Sequence, residues 1–380
     1  MREETNKYDA SQIKVLEGWE AVRKRPGMYI GSTTERGLHQ LVYAVADRAV
    51  NEALAGRARS VEITLTPDGG VRVADDGPGV PIEDSEGADS PGLETLLTQM
   101  RFGARAGGRH DVAVGGSLSV WPSVVNALSC RMTAEVQREG VRWVQEYARG
   151  EAVNPLTEAG KAAASGTVIA FWPDADIFGA SEFSFEALVG RFRELALLNR
   201  GLEISLTDQR RPGGPRSVQL RFDGGARDFV ALLDADEQPA PTPADTLGFE
   251  YEDPRMAGTV EVALRWCGSH EERLLGFANS RPTTLGTHVE GLRDGVAAAV
   301  EAYAGERLLP TAIGEGMTAV VSVKLDHPEF GGCTHSELGD PVVRDCVREA
   351  VQERLGRWLE EDPERAAAVV DRMVERTRLG

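Results

Sequence analysis

The sequence predicts an α/β or α+β chain of two domains, and three observations carry that prediction. Helical stripes alternate with short strand patterns along the chain. A length of 380 residues with 41% hydrophobic content favours two medium cores. The segment Arg210-Arg-Pro-Gly-Gly-Pro215 interrupts the pattern and is the best boundary.

Residues 1 to about 20 read as an arm leading into Val22-Arg-Lys-Arg-Pro-Gly-Met-Tyr-Ile-Gly31, with a turn at Pro26-Gly27. A helix follows from about 37 to 54. Its apolar stripe is Leu38, Leu41, Val42, Val45, Ala49 and Ala53, and Gly56 is its stop. Ser60 to Thr66 alternates as a strand, Pro67-Asp-Gly-Gly70 turns, and Val71 to Asp75 pairs back.

Leu93 to Met100 is a short helix, 103–117 a glycine-rich basic loop, and Val124 to Leu128 a further helical stretch. Met132 to Val136 and Arg142 to Tyr147 pair across a turn at Arg138-Glu-Gly140. Thr167 to Trp172 is a strand, Phe185 to Asn199 a helix, and Leu202 to Leu206 a strand. Beyond the boundary, the acidic, proline-rich stretch from Asp234 to Pro243 reads as a surface loop. Val260 to Trp266 and Ala319 to Leu325 are strands. One helix follows Pro341, and a last one from about Asp362 carries Ala367, Val370 and Met373 on one side.

Sixty acidic and 42 basic residues give a formal charge of -18, a poor balance for non-specific DNA binding unless the positive charge is concentrated on one surface. The four cysteines (Cys130, Cys267, Cys333, Cys346) have no paired spacing, so free thiols in a reducing cytoplasm are expected rather than a disulfide framework or zinc cluster. Neither a signal peptide nor an apolar run long enough to span a membrane is present.

Several motifs occur in a fixed order: Tyr8 to Gly18, Val22 to Gly31, Asp75-Asp-Gly-Pro-Gly-Val-Pro81, Ser123-Val-Val-Asn-Ala-Leu-Ser129, Gly166-Thr167, Phe277-Ala-Asn279 and Gly286-Thr-His-Val-Glu-Gly291. On these the chain resembles the N-terminal half of the B subunits of DNA gyrase and topoisomerase IV, over essentially its whole length. The resemblance implies an arm at 1–20 and a two-layer α/β sandwich of the GHKL (Bergerat) ATPase type at 21–214. It implies a transducer domain with a ribosomal-protein-S5-like fold at 215–380, without the metal-binding TOPRIM or DNA-gate domains. It also implies ATP as cofactor and a homodimer, or a heterodimer with a topoisomerase B-type subunit. DNA contact would be indirect or weak, and the setting cytoplasmic.

The resemblance carries residue roles. Asp75 matches the aspartate that accepts from the adenine amino group, with Gly77 and Gly79 shaping the turn beside the base. Thr167 completes the adenine contacts, and Tyr8 and Ile13 match arm positions. Asn279, Gly286, Thr287 and His288 match a transducer core motif.

The phosphate side departs from the family. Ala44 stands where a glutamate polarises the attacking water, and a methyl group does no general-base work. Asp47 is a weak substitute, displaced by roughly 4.5 Å along the helix. Arg48 replaces the asparagine that holds Mg²⁺, so no metal ligand is expected. It is free to meet a phosphate, although an ion pair with Asp47 or Glu52 is the plainer expectation. The glycine-rich phosphate loop reads Gly115-Gly-Ser-Leu-Ser-Val-Trp-Pro122. Gly115, Gly116, Ser117 and Ser119 are weak oxyanion candidates, Trp121 is bulky, and Pro122 lacks a donor. His335 stands where the transducer lysine reaches the terminal phosphate, with charge only partial near a pKa of about 6.5. Pro78 replaces an arginine at the pocket mouth.

These departures make Mg²⁺ doubtful. They favour a nucleotide-binding or pseudo-ATPase form acting as a regulatory partner of topoisomerase components. The alternatives are an active, divergent ATP-hydrolysing topoisomerase subunit and a dimeric interaction module that binds no nucleotide.

Overall fold

The computed structural model describes residues 18–84, 92–100, 112, 114–115, 120–235, 246–267, 271–283, 285–331 and 336–379. Tyr8, Ile13, Gly116, Ser117, Ser119 and His335 lie outside the described residues, as does most of the 103–117 stretch.

The first sheet contains β1 (Val61–Leu65), β2 (Val71–Asp75), β3 (Ser129–Arg138), β4 (Val141–Ala148), β5 (Glu151–Ala152), β6 (Thr157–Lys161), β7 (Gly166–Pro173), β8 (Ile204–Asp208) and β9 (Arg216–Leu220). Their order is β5-β4-β3-β7-β2-β1-β8-β9, with β6 also on β4, and only β1 and β8 run parallel. The alternation in β1 buries Val61, Ile63 and Leu65 and turns Glu62 outward. The β3–β4 connection uses Glu139 and Gly140, both at positive φ, as a two-residue hairpin turn requires. β9 carries the first sheet past the proline-glycine break.

The helices of this half are α1 (Trp19–Lys24), α2 (Gly27–Ile30), α3 (Glu35–Leu54), α4 (Leu93–Thr98), α5 (Pro122–Ala127), α6 (Ala175–Phe178) and α7 (Phe185–Leu198). α3 packs on β1 and β2 and is also covered by α2 and α5. Residues 37–46 are therefore buried all round, beyond the single stripe the periodicity predicts.

The second half opens with α8 (Ala226–Leu233) and contains β10 (Leu247–Asp253), β11 (Gly258–Trp266), β12 (Arg273–Ala278) and β13 (Arg281–Pro282). Then come β14 (Leu285–Gly286), α9 (Thr287–Ala304), α10 (Pro310–Ile313), β15 (Met317–Leu325), β16 (Phe330–Gly331), β17 (Glu337–Leu338), α11 (Pro341–Glu361) and α12 (Pro363–Leu379). Its main sheet runs β10-β11-β15-β12-β13, and β14-β17-β16 form a small one. β15 is almost wholly buried because α8 and α9 both pack against it.

Two sequence expectations need correcting. Asp234 is not on a surface loop: it is fully buried, accepts from Thr318 Oγ1 at 2.7 Å and lies near Arg265 and Arg273. In α12 the buried residue is Ala366 rather than Ala367, beside Val370 and Met373. An apolar cluster of Leu197, Leu198, Phe229, Val230, Phe277 and Val320 joins α7 to α8 and the second sheet.

Candidate functional site

Strand register places Asp75 at the end of β2, opposite Thr167 on β7. The close turn there depends on missing Cβ atoms. One at Gly166 would lie 2.3 Å from the Asp75 carbonyl oxygen, and one at Gly79, whose φ is +81°, would lie 2.8 Å from the Gln137 carbonyl oxygen. Gly77 N–H donates to Asp75 Oδ1 at 3.1 Å. Thr167 Oγ1 accepts from Val80 N–H at 3.0 Å and is buried. Asp76 instead holds the start of β1, accepting from the backbone N–H groups of Arg59 and Ser60.

The cation beside Asp75 is Arg48. Its Nη2 donates to Asp75 Oδ2, so the anticipated pairing of Arg48 with Asp47 or Glu52 is not what forms. Glu52 pairs with Arg57. Asp47 Oδ1 accepts from Val114 N–H at 2.6 Å. The Asp75 side chain is 1% exposed and that of Arg48 20%. Burial pushes the Asp75 carboxyl above the ordinary carboxylate range, while the Arg48 guanidinium and the Gly77 N–H pull it down. Arg48 Nε is buried and has no hydrogen-bond partner.

Ala44, one turn earlier on α3, is 3% exposed and belongs to the apolar core. The start of the aligned phosphate loop is tied down to α3. Asn51 exchanges two hydrogen bonds with Val112, and Asp47 takes the Val114 N–H. From α7, Arg191 Nε donates to the Val114 carbonyl at 2.8 Å. Gly115 is the one loop candidate among the described residues. Trp121 caps α5 and Pro122 occupies its first turn, where a missing N–H costs the helix little. Sequence reasoning misses Asn51 and Arg191. Asn51 is one turn past Asp47 and could be found by helical spacing, whereas nothing local marks Arg191.

The donor set does not fit a divalent cation held as in the resemblance. Position 48 offers only N–H donors, and position 44 only a methyl group. Among the described residues, no group of three His, Cys, Asp or Glu side chains is placed to hold a metal ion. The Asp75 carboxylate, which the resemblance matches to an adenine acceptor, already accepts from Arg48. A separate cleft of about 520 Å³ lies beyond the opposite end of β2. Leu38, Phe178 and Phe183 line it with Arg210 and Arg211. No helix among the described residues is long and apolar enough to cross a membrane.

The open sheet with helices on one face, an aspartate at a strand end and a long helix across it define a GHKL-type (Bergerat) ATPase sandwich followed by a transducer-like region. Known proteins agree with that class. Residues 225–379 match the family model described as DNA gyrase B. The chain is 40% identical over 393 residues to the DNA gyrase B protein of Streptomyces coelicolor, covering 97% of this chain and 57% of that one. It is 39% identical over 394 residues to the novobiocin-resistant DNA gyrase B protein of Streptomyces niveus, covering 98% and 58%.

Among solved structures, the 43K ATPase domain of Thermus thermophilus gyrase B, in complex with an aminocoumarin, superposes with a TM-score of 0.78 at 32% identity, covering 95% of each chain. The topoisomerase IV ATP-binding domain of Francisella tularensis, in complex with a small-molecule inhibitor, gives 0.77 at 28% identity, covering 96% and 98%. The chain belongs to the DNA gyrase B and topoisomerase IV B family. It spans under two thirds of the length of the gyrase B proteins it matches.

Proposed function

We propose that this chain is a gyrase-B-like ATPase and transducer module that has lost nucleotide hydrolysis and acts as a regulatory partner of type II topoisomerase components. The observation that carries it lies on one face of α3. Ala44 and Arg48, one turn apart, are a buried methyl group and a guanidinium at the positions where the resemblance expects a carboxylate and a metal ligand. No protein group at position 44 can take a proton from water, and a permanent cation at position 48 disfavours a divalent ion. We divide the chain into an arm (1–20), the ATPase-type domain (21–214) and the transducer (215–380).

In this proposal Asp75, Gly77, Gly79 and Thr167 are the remains of the adenine end, with Tyr8 and Ile13 contributing from the arm. Gly115, Gly116, Ser117, Ser119 and His335 give at most weak anion contacts. The partner is a second copy or a topoisomerase B-type subunit, with DNA met indirectly, in the cytoplasm. Arg48, Asp47 and Mg²⁺ form no catalytic set.

Steady-state phosphate release, with and without DNA and Mg²⁺, tests the proposal. Turnover that disappears on replacing Asp47 would defeat it. The second reading, an active ATP-hydrolysing topoisomerase subunit, is favoured by one observation: identity of 39–40% to DNA gyrase B proteins over nearly the whole chain. It requires a base other than residue 44, so the same assay decides between the two.

A further inference from the structure

The loss of a metal ligand at position 48 does not by itself say what the new arginine does. Three facts bear on that. Arg48 reaches across from α3 to Asp75, 27 residues away in sequence, and passes over the carboxylates of Asp47 and Glu52 on its own helix. Asp75 is engaged at both oxygens, by Gly77 N–H at Oδ1 and by Arg48 Nη2 at Oδ2. Its side chain is 1% exposed, so it presents almost no surface to an incoming donor.

A buried carboxylate selects for a ligand amino group because leaving it unpaired is costly. An arginine N–H supplies the same donor from within the chain, charge-assisted and without the entropy cost of binding a second molecule.

We infer that Arg48 is an internal occupant of the adenine acceptor: its guanidinium takes the place of the base's amino group on Asp75 and makes residue 48 the determinant that excludes adenine nucleotides from this pocket. The inference rests on the family reading of Asp75 given above. It goes further than lost hydrolysis, because it places the block at base recognition as well as at the phosphates.

The test is isothermal titration of the full chain with ADP in the absence of Mg²⁺, which removes metal and hydrolysis from the measurement. Arg48→Asn is expected to bind ADP on the order of ten- to a hundredfold more tightly than the parent, the range for regaining one hydrogen bond to a charged group. Adding Asp75→Asn to that variant is expected to remove the gain. The gain should be larger for ADP than for GDP, whose base presents a carbonyl where adenine presents an amino group. Should Arg48→Asn fail to fold, Arg48→Met keeps the bulk of the arginine stem and carries the same expectation.

The inference is overturned if the parent binds ADP as tightly as Arg48→Asn, or if the gain survives Asp75→Asn. Either result leaves the proposed loss of hydrolysis standing. Conversely, phosphate release by the parent would end that proposal whatever the titration gives.

Discussion

Arg191 Nη2, on α7 of the first sheet's layer, donates to the carbonyl oxygen of Ser280 beside the second sheet, at 3.0 Å. Through Nε the same guanidinium holds the Val114 carbonyl, so one side chain bridges the segment at Val114 and the turn between β12 and β13. Ser280 and Asn279 both sit at positive φ, an unusual backbone for residues other than glycine. The Asn279 side chain is fixed by two hydrogen bonds to the backbone of Leu325.

Arg191→Ala is therefore expected to loosen the junction more than either core. Each lost hydrogen bond to this charged group is worth about 1.5–3 kcal/mol. Hydrogen exchange should show faster exchange at Val114 and around Ser280, with little change within β1 or β15. Unchanged exchange at Val114 would mean that the bridge does not hold the loop.

His288 gives a pH dependence with a definite sign. It is buried, its Nε2 lies 2.8 Å from Thr283 Oγ1, and its Nδ1 has no partner. Burial pushes its pKa down to about 4 from an ordinary 6.5. Between those values the unfolded chain binds a proton that the folded chain does not, so stability falls as pH drops from about 6.5 to 4. The full effect is about 3 kcal/mol. Asp208, held down at about 2 chiefly by Arg210, gives up its own contribution only below its ordinary 3.8. Urea unfolding at pH 7 and pH 4.5 should show the loss in the parent and a flatter response in His288→Gln.

The α9–α11 contact depends on two glycines. A Cβ at Gly291 would lie 2.5 Å from the Arg344 carbonyl oxygen, and one at Gly295 would lie 2.7 Å from that of Arg348. Gly291→Ala and Gly295→Ala should each destabilise the second half by about 1–3 kcal/mol, through forced separation of the helices. Denaturation monitored at Trp266 and Trp358, whose rings lie 6.3 Å apart, reports on that half. An unchanged midpoint for both variants would refute the close-packing account.

Restoring the carboxylate at position 44 should fail as a single change. Ala44 is in the core and the nearest cation on its helix face, Arg48, is already engaged by Asp75, so Ala44→Glu buries an ionisable group and should cost about 3 kcal/mol. Arg48 and the altered loop remain, so phosphate release should not rise above that of the parent. A single-site gain of turnover would show that the remaining machinery is intact.

Much of the fold is legible because its signals are local. The alternation of Val61, Ile63 and Leu65 fixes the buried face of β1, and Glu139-Gly140 fixes a hairpin. β6 escapes a sequence reading because all five of its residues are exposed, leaving no alternation to read. β9 is hidden beside the proline-glycine break. Asp234 looks like loop because acidic residues surround it in sequence, although Thr318, 84 positions away, meets it inside.

The sequence alone determined the family, the absence of a carboxylate at position 44 and the presence of an arginine at position 48. Only the tertiary structure decided what that arginine does. The helix offers it Asp47 and Glu52, but these are served by the Val114 N–H and by Arg57. The Asp75 carboxylate, 1% exposed against 15% for Glu52, has the greater need of a counter-charge. That need depends on burial, and burial at Asp75 exists only after β2, β7 and α3 have come together.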